Sequence, residues 1–161
     1  MGLRLRDAVP EDLDLVLRFI HALAEYEKLA HEVKADAATL GRFLFEEPRR
    51  AEALIAEWDG RPVGFAVWYY SFSTFLGRPS LYVEDVFVEP AMRGKGIGKA
   101  VFAHLAARAL AQGCGRMEWS VLDWNAPSIA FYRSLGAKPR EGWTLQQLTG
   151  EALSALAVAQ G

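Results

Sequence analysis

The 161 residues hold one cysteine, Cys114, and three histidines, His21, His31 and His104, far apart along the chain. A lone thiol closes no internal disulfide, and histidines so dispersed give no ligand spacing, so neither a disulfide framework nor a metal site is expected. No stretch approaches the roughly 18 uninterrupted apolar residues of a spanning helix. The N-terminus, Met1-Gly2-Leu3-Arg4-Leu5-Arg6, alternates polar and apolar and lacks the apolar block of a signal peptide. An excess of one charge is missing as well: 18 basic residues face 20 acidic ones, for a net charge of −2, which offers no global field for gathering nucleic acid. Repeats, low-complexity tracts and linkers are lacking too. These absences together predict a cytoplasmic protein with no membrane partner and no nucleic-acid partner.

The hydrophobic share, 52%, suffices for a sizeable core and argues against disorder. The length fits one domain over residues 1–161, with residues 149–161 as a C-terminal extension. Leu3 and Leu5 alternate with Arg4 and Arg6 as in a short strand. Pro10-Glu11-Asp12 then suits a helix start, with the acids at the positive end of the dipole. Leu13, Val16, Leu17, Ile20, Leu23 and Ala24 recur at helical spacing, predicting a helix to about Leu29. A second helix fits Ala37 to Glu46, stopped by Pro48. Strands are expected over Ala53 to Trp58, Val63 to Ser73 and Leu81 to Val88, the first two joined by a tight turn at Asp59-Gly60. The third is apolar on both faces, as a central strand would be, which makes the adjacent carboxylates Glu84 and Asp85 conspicuous. Further on come a helix from about Lys99 to Ala111, a strand from Arg116 to Leu122 and a helix from Ala126 to Leu135. A final strand is expected over Trp143 to Leu148, then a helix over Gly150 to Gln160. Antiparallel strands first and a βαβ unit afterwards predict an α/β fold with one mixed, mostly antiparallel sheet flanked by helices on both faces.

Between the central strand and the helix that follows lies Arg93-Gly94-Lys95-Gly96-Ile97-Gly98-Lys99. Its glycines permit unusual dihedrals, the free amides of a helix start bind anions, and three cations stand beside them. A phosphate or pyrophosphate is the natural guest. A P-loop would need glycine where Arg93 stands and Ser or Thr where Ala100 stands. The dinucleotide fingerprint needs G-x-G-x-x-G, and this turn reads G-x-G-x-G.

Arg93-x-x-Gly96-x-Gly98 resembles the acyl-CoA pyrophosphate motif of the GNAT acetyltransferase superfamily. Asn125-Ala126-Pro127-Ser128-Ile129-Ala130-Phe131-Tyr132-Arg133-Ser134-Leu135-Gly136 resembles its second signature. Ala24-Glu25-Tyr26-Glu27, Leu81 to Val88, Trp124-Asn125-x-Pro127-Ser128 and Glu141-Gly142-Trp143 are similar to the spermidine/spermine acetyltransferase branch, whose members act on polyamines and thialysine-like diamines. Two departures bear on the acceptor pocket. Eukaryotic members often carry an insertion where this chain has Asp59-Gly60, and often a histidine where Glu118 stands.

The resemblance implies acetyl-CoA as co-substrate, no metal, a small amine as acceptor and a homodimer, which the apolar C-terminal segment also suggests. An aliphatic ammonium, with a pKa near ~10.4, must lose a proton before it attacks a thioester. Glu84 matches the position of the proposed base, and Tyr132 that of the acid for the leaving sulfur. Backbone groups of Val86, Phe87 and Val88 would hold the pantetheine arm as an added strand does. The turn from Arg93 through Gly94, Lys95, Gly96, Ile97 and Gly98 to Lys99 would hold the pyrophosphate, with Asn125 and Ser128 bounding the arm. The acceptor would meet Tyr26, Glu27, Glu84, Asp85, Glu118 and Glu141. Trp143 is either core or a wall of the amine channel, and Glu25, Glu27, Lys28 and Glu32 equally suit a solvated helix face. Two alternatives remain: a protein or peptide N-acetyltransferase with an open, shallow groove, and a non-catalytic acyl-CoA-binding module.

Overall fold

The computed structural model describes residues 2–159. Residues divide into two compact units, the first reaching Asn125 and the second beginning at Ala126. In the first, the alternating N-terminus forms β1 (Leu3–Asp7), and Pro10–Asp12 makes a single 3-10 turn before α1 (Leu13–Tyr26). Asp12 stabilises that start: its carboxylate accepts from the Val9 N–H at 2.9 Å and from the terminal nitrogens of Arg6 at 2.7 and 3.0 Å. Arg6 also donates through Nε to Glu57 at 2.7 Å, so one guanidinium ties β1, the helix start and the neighbouring strand together. The helix stops at Tyr26, short of the expected Leu29, because Lys28 turns to φ 61°, where a right-handed helix cannot continue. Asp36 caps α2 (Ala37–Phe45) by accepting from the Thr39 N–H at 2.7 Å.

The strands β2 (Glu52–Trp58), β3 (Arg61–Ser73) and β4 (Arg78–Val88) form the expected meander. Asp59 and Gly60 both take positive φ, 50° and 79°, as a two-residue hairpin turn of matching twist requires. After α3 (Ile97–Ala111) comes β5 (Arg116–Trp119), which lies parallel to β4 and completes a five-stranded sheet in the order β1-β2-β3-β4-β5. Helix α3 thus opens two residues before the expected Lys99, and β5 closes three residues before the expected Leu122.

Register decides what each face carries. Ile55, Phe65 and Phe87 stand opposite one another across β2, β3 and β4. They meet Val16 and Phe19 of α1 and Leu44 of α2 in one buried cluster, with the Phe19 and Phe65 rings stacked at 5.4 Å. The opposite face belongs to α3, whose Val101 and Leu105 are fully buried. There the Phe102 ring lies 4.8 Å from that of Trp119, and the Arg108 guanidinium sits 5.0 Å over Trp68. Helices therefore cover both faces, as expected.

The second unit holds α4 (Ala126–Ser134) and α5 (Gly150–Val158). The strand expected over Trp143 to Leu148 does not form. Those residues carry no ladder to satisfy their backbone, and Leu145 is 92% exposed. The helix expected to follow it is α5; its expected end, Gln160, lies outside the described residues.

Candidate active site

The site in the first unit begins with an irregularity in β4. Val67 pairs with Asp85, but the next residue, Trp68, pairs with Val83, so the ladder passes over Glu84. Glu84 is the extra residue of a β-bulge, a device that re-aims side chains and ends pairing. Beyond it, Asp85 shares the α1 face with Val67 and Phe87 and is half-buried, whereas Glu84 is exposed. The parallel pairing of β4 with β5 also ends here, at Val83 and Trp119. From Glu84 to Val88, β4 thus has β3 on one side and, among the described residues, no strand on the other. The expected edge at Val86, Phe87 and Val88 is present. An extended ligand carrying amides fits beside it as an added strand would.

That edge runs into the glycine-rich turn. Gly94 and Gly96 take φ 81° and 80°, and Gly96 in this left-handed conformation is the N-cap of α3. Only glycine adopts such angles without strain. The first backbone hydrogen bond of the helix comes from Ala100 N–H to the Gly96 carbonyl at 3.0 Å, so the amides of Ile97, Gly98 and Lys99 precede the ladder and are oriented for an anion. The helix dipole adds to this.

Arg93 donates through Nε to the Val88 carbonyl at 3.0 Å, with its guanidinium 4.5 Å from the Tyr26 ring centroid and 5.7 Å from that of Phe87. Lys95 lies 5.4 Å over Trp58. Two of the three cations thus rest on aromatic faces, and Lys99 is exposed.

Acidic groups gather on the α1 side of the bulge. Burial raises the Asp85 carboxyl to about 6, with the charges of Glu84 and then Glu27 adding to the effect. Glu27, just past the end of α1, is raised by burial as well. Burial, followed by the charge of Glu84, also raises the Tyr69 hydroxyl. Asp85 is therefore near enough to feel the charges of both Glu84 and Glu27. Glu118 stands opposite Tyr82 on the same sheet face, but Arg116 Nε reaches its carboxylate at 3.0 Å. Asn125 is only 5% exposed and accepts at 3.5 Å from the Tyr26 hydroxyl.

In the second unit Ser128 and Tyr132 lie four residues apart, hence on one face of α4, and both are half-buried. Glu141 and Trp143 sit in the irregular segment between the helices. At 73% exposed, with Arg140 5.5 Å from its ring, Trp143 is not core, which removes one of its two readings. Sequence reasoning missed the bulge at Glu84 and the stacking of Arg93 on Tyr26. Neither leaves a local signal, since both arise from which strand or ring lies opposite. Groups of histidine, cysteine and carboxylates able to hold a metal ion are absent among the described residues, and no helix there is long and apolar enough to cross a membrane.

The model of the acetyltransferase (GNAT) family matches residues 17–137. A thialysine N-epsilon-acetyltransferase of Bos taurus is 38% identical over 95% of this chain and 96% of its own. An L-ornithine N5-acetyltransferase of Arabidopsis thaliana is 29% identical, over 95% of this chain and 87% of its own. Among solved structures, an integron cassette protein from the mobile metagenome of V. cholerae superposes with a TM-score of 0.79 at 28% identity, covering 98% of both chains.

Proposed function

Since the chain belongs to the GNAT family of acetyltransferases, we propose that it acetylates the primary amine of a small diamine, polyamine or thialysine-like acceptor by direct transfer within a ternary complex. It is an amine N-acetyltransferase that uses acetyl-CoA. The observation that carries the finer reading is the cluster of Glu27, Glu84 and Asp85 beside the open edge of β4. Three carboxylates, two of them raised by burial, suit a compact cation carrying more than one ammonium. A protein N-terminus or a single peptide lysine offers only one.

When bound, acetyl-CoA supplies the thioester carbonyl that the amine attacks. The edge from Val86 to Val88 fixes the extended arm, and the amides at the start of α3 receive the pyrophosphate. Glu27 and Asp85 hold the ammonium end of the acceptor against the α1 face. Glu84, re-aimed by the bulge, takes the proton that the amine must lose. By the family motif, Tyr132 is assigned the proton for the departing sulfur, and Asn125 and Ser128 the bounding of the arm. Glu118, Glu141 and the exposed Trp143 serve the acceptor side. Holding both reactants together supplies much of the acceleration. One acetyltransferase domain spans the chain, with residues 149–161 as an extension. A homodimer is supported by the apolar residues that α5 and its approach leave exposed: Leu145, Leu148, Leu153, Leu156 and Val158.

The roles of Glu84 and Tyr132 are tested by pH–rate profiles at saturating acetyl-CoA. Glu84→Gln should lower kcat about 100-fold and remove the acidic limb, and Tyr132→Phe should lower kcat by a similar factor with little change in acetyl-CoA affinity. A Glu84→Gln profile superimposed on that of the parent would remove Glu84 as the base.

A further inference from the structure

Arg93 opens the pyrophosphate motif, yet its guanidinium is engaged sideways. Its Nε hydrogen goes to the Val88 carbonyl at 3.0 Å, and its plane lies over Tyr26 at 4.5 Å, with Phe87 at 5.7 Å. Tyr26 is the last residue of α1, and its own position is fixed from a third direction. Its hydroxyl reaches Asn125 Oδ1 at 3.5 Å, and its ring lies 6.3 Å from Trp124, over which Lys28 stands at 5.1 Å. One continuous chain of contacts therefore joins the end of α1, the turn before Asn125, and the carbonyl on which β4 ends.

We infer that Tyr26 is a positioning residue for the acetyl-CoA half of the site, acting through Arg93, and not a ligand of the amine; this rests on the acetyl-CoA reading above. The ring fixes the guanidinium plane, the guanidinium fixes the Val88 carbonyl, and Val88 closes the edge that the extended arm pairs with. Both properties of arginine are needed, a flat cation for the ring and a lateral N–H for the carbonyl. Lysine, a point charge on a flexible stem, has neither the plane nor the lateral donor. Were Arg93 simply a charge for phosphate, lysine would replace it well.

The test is calorimetric affinity for coenzyme A in the full chain, alongside steady-state KM values for acetyl-CoA and for the amine. Arg93→Lys should weaken coenzyme A about as much as Arg93→Met does, on the order of fivefold. Tyr26→Phe, which keeps the ring, should stay within about twofold of the parent for both ligands, whereas Tyr26→Leu should weaken coenzyme A about fivefold and leave the amine KM unchanged. Adding Tyr26→Leu to Arg93→Met should cost nothing further, because the two act as one unit. Full affinity in Arg93→Lys, or a raised amine KM in Tyr26→Phe with coenzyme A binding intact, would overturn the inference. The Arg93 variants change an exposed side chain and decide the matter even where Tyr26→Leu folds poorly. A parent protein that binds no coenzyme A would overturn the acetyl-CoA reading itself, and this inference with it.

Discussion

At the scale of single residues, the paired carboxylates on β4 differ in burial. The sequence singles out Glu84 and Asp85 together but does not say which of them is desolvated. The bulge decides that by passing over Glu84 and leaving Asp85 half-buried facing α1. Burial, then the charges of Glu84 and Glu27, raises the Asp85 carboxyl from 3.8 to about 6. A carboxyl whose folded pKa is raised binds its proton more tightly in the folded state, so stability falls as pH rises from about 4 to about 6. The full cost above that window is about 3 kcal/mol at 1.36 kcal/mol per pK unit. Urea unfolding of Asp85→Asn should therefore show a protein more stable than the parent at pH 8, by up to about 3 kcal/mol, and equal to it at pH 4. Its amine KM should rise at the same time, a trade of stability against function. Equal stability of parent and variant at both pH values would show that Asp85 is well solvated.

At the scale of elements, Gly64 lets β3 lie close against β4 opposite Val88, at the end of its open edge. A Cβ built on Gly64 would stand 2.5 Å from the Phe87 carbonyl oxygen and 3.3 Å from the Val88 Cα. Both are backbone atoms, which cannot swing aside. Gly64→Ala should thus push β4 away from β3, lowering stability by about 1–3 kcal/mol and weakening acetyl-CoA, as read from thermal melts and calorimetry. Unchanged values in both would mean that the edge tolerates displacement. Elements with strong periodicity were legible in the sequence: β1, α1, the Asp59-Gly60 hairpin and the glycine-opened α3 all stand where patterning placed them, within a few residues. The strand expected over Trp143 to Leu148 was not. Alternation runs only from Trp143 to Gln146 and breaks at Gln146-Gln147, and a strand exists only with a partner, which sequence pattern does not supply. The same reason hid the stack of Arg93 on Tyr26, which brings together residues 67 positions apart.

At the scale of the whole molecule, the net charge of −2 is, on the proposed function, an average over two opposed sites. In that proposal the amides at the start of α3, with Lys99, would receive a polyphosphate, and Glu27, Glu84 and Asp85 would receive a cation. Apolar residues at the C-terminal end stay uncovered in a single chain, Leu153 at 53% and Leu156 at 62% exposed. Sedimentation should accordingly give twice the chain mass, and removal of residues 150–161 should yield the monomer. A full-length chain that sediments as a monomer at micromolar concentration would exclude the dimer. The central claim, a compact dicationic acceptor held by three carboxylates, is met most directly by initial rates with acetyl-CoA against spermidine, spermine, putrescine, thialysine, lysine and a lysine-containing peptide. Rates concentrated on one or two of the small diamines or polyamines, with the peptide at least ~100-fold slower in kcat/KM, are the expected result. Equal rates across the panel, or a preference for the peptide, would contradict it.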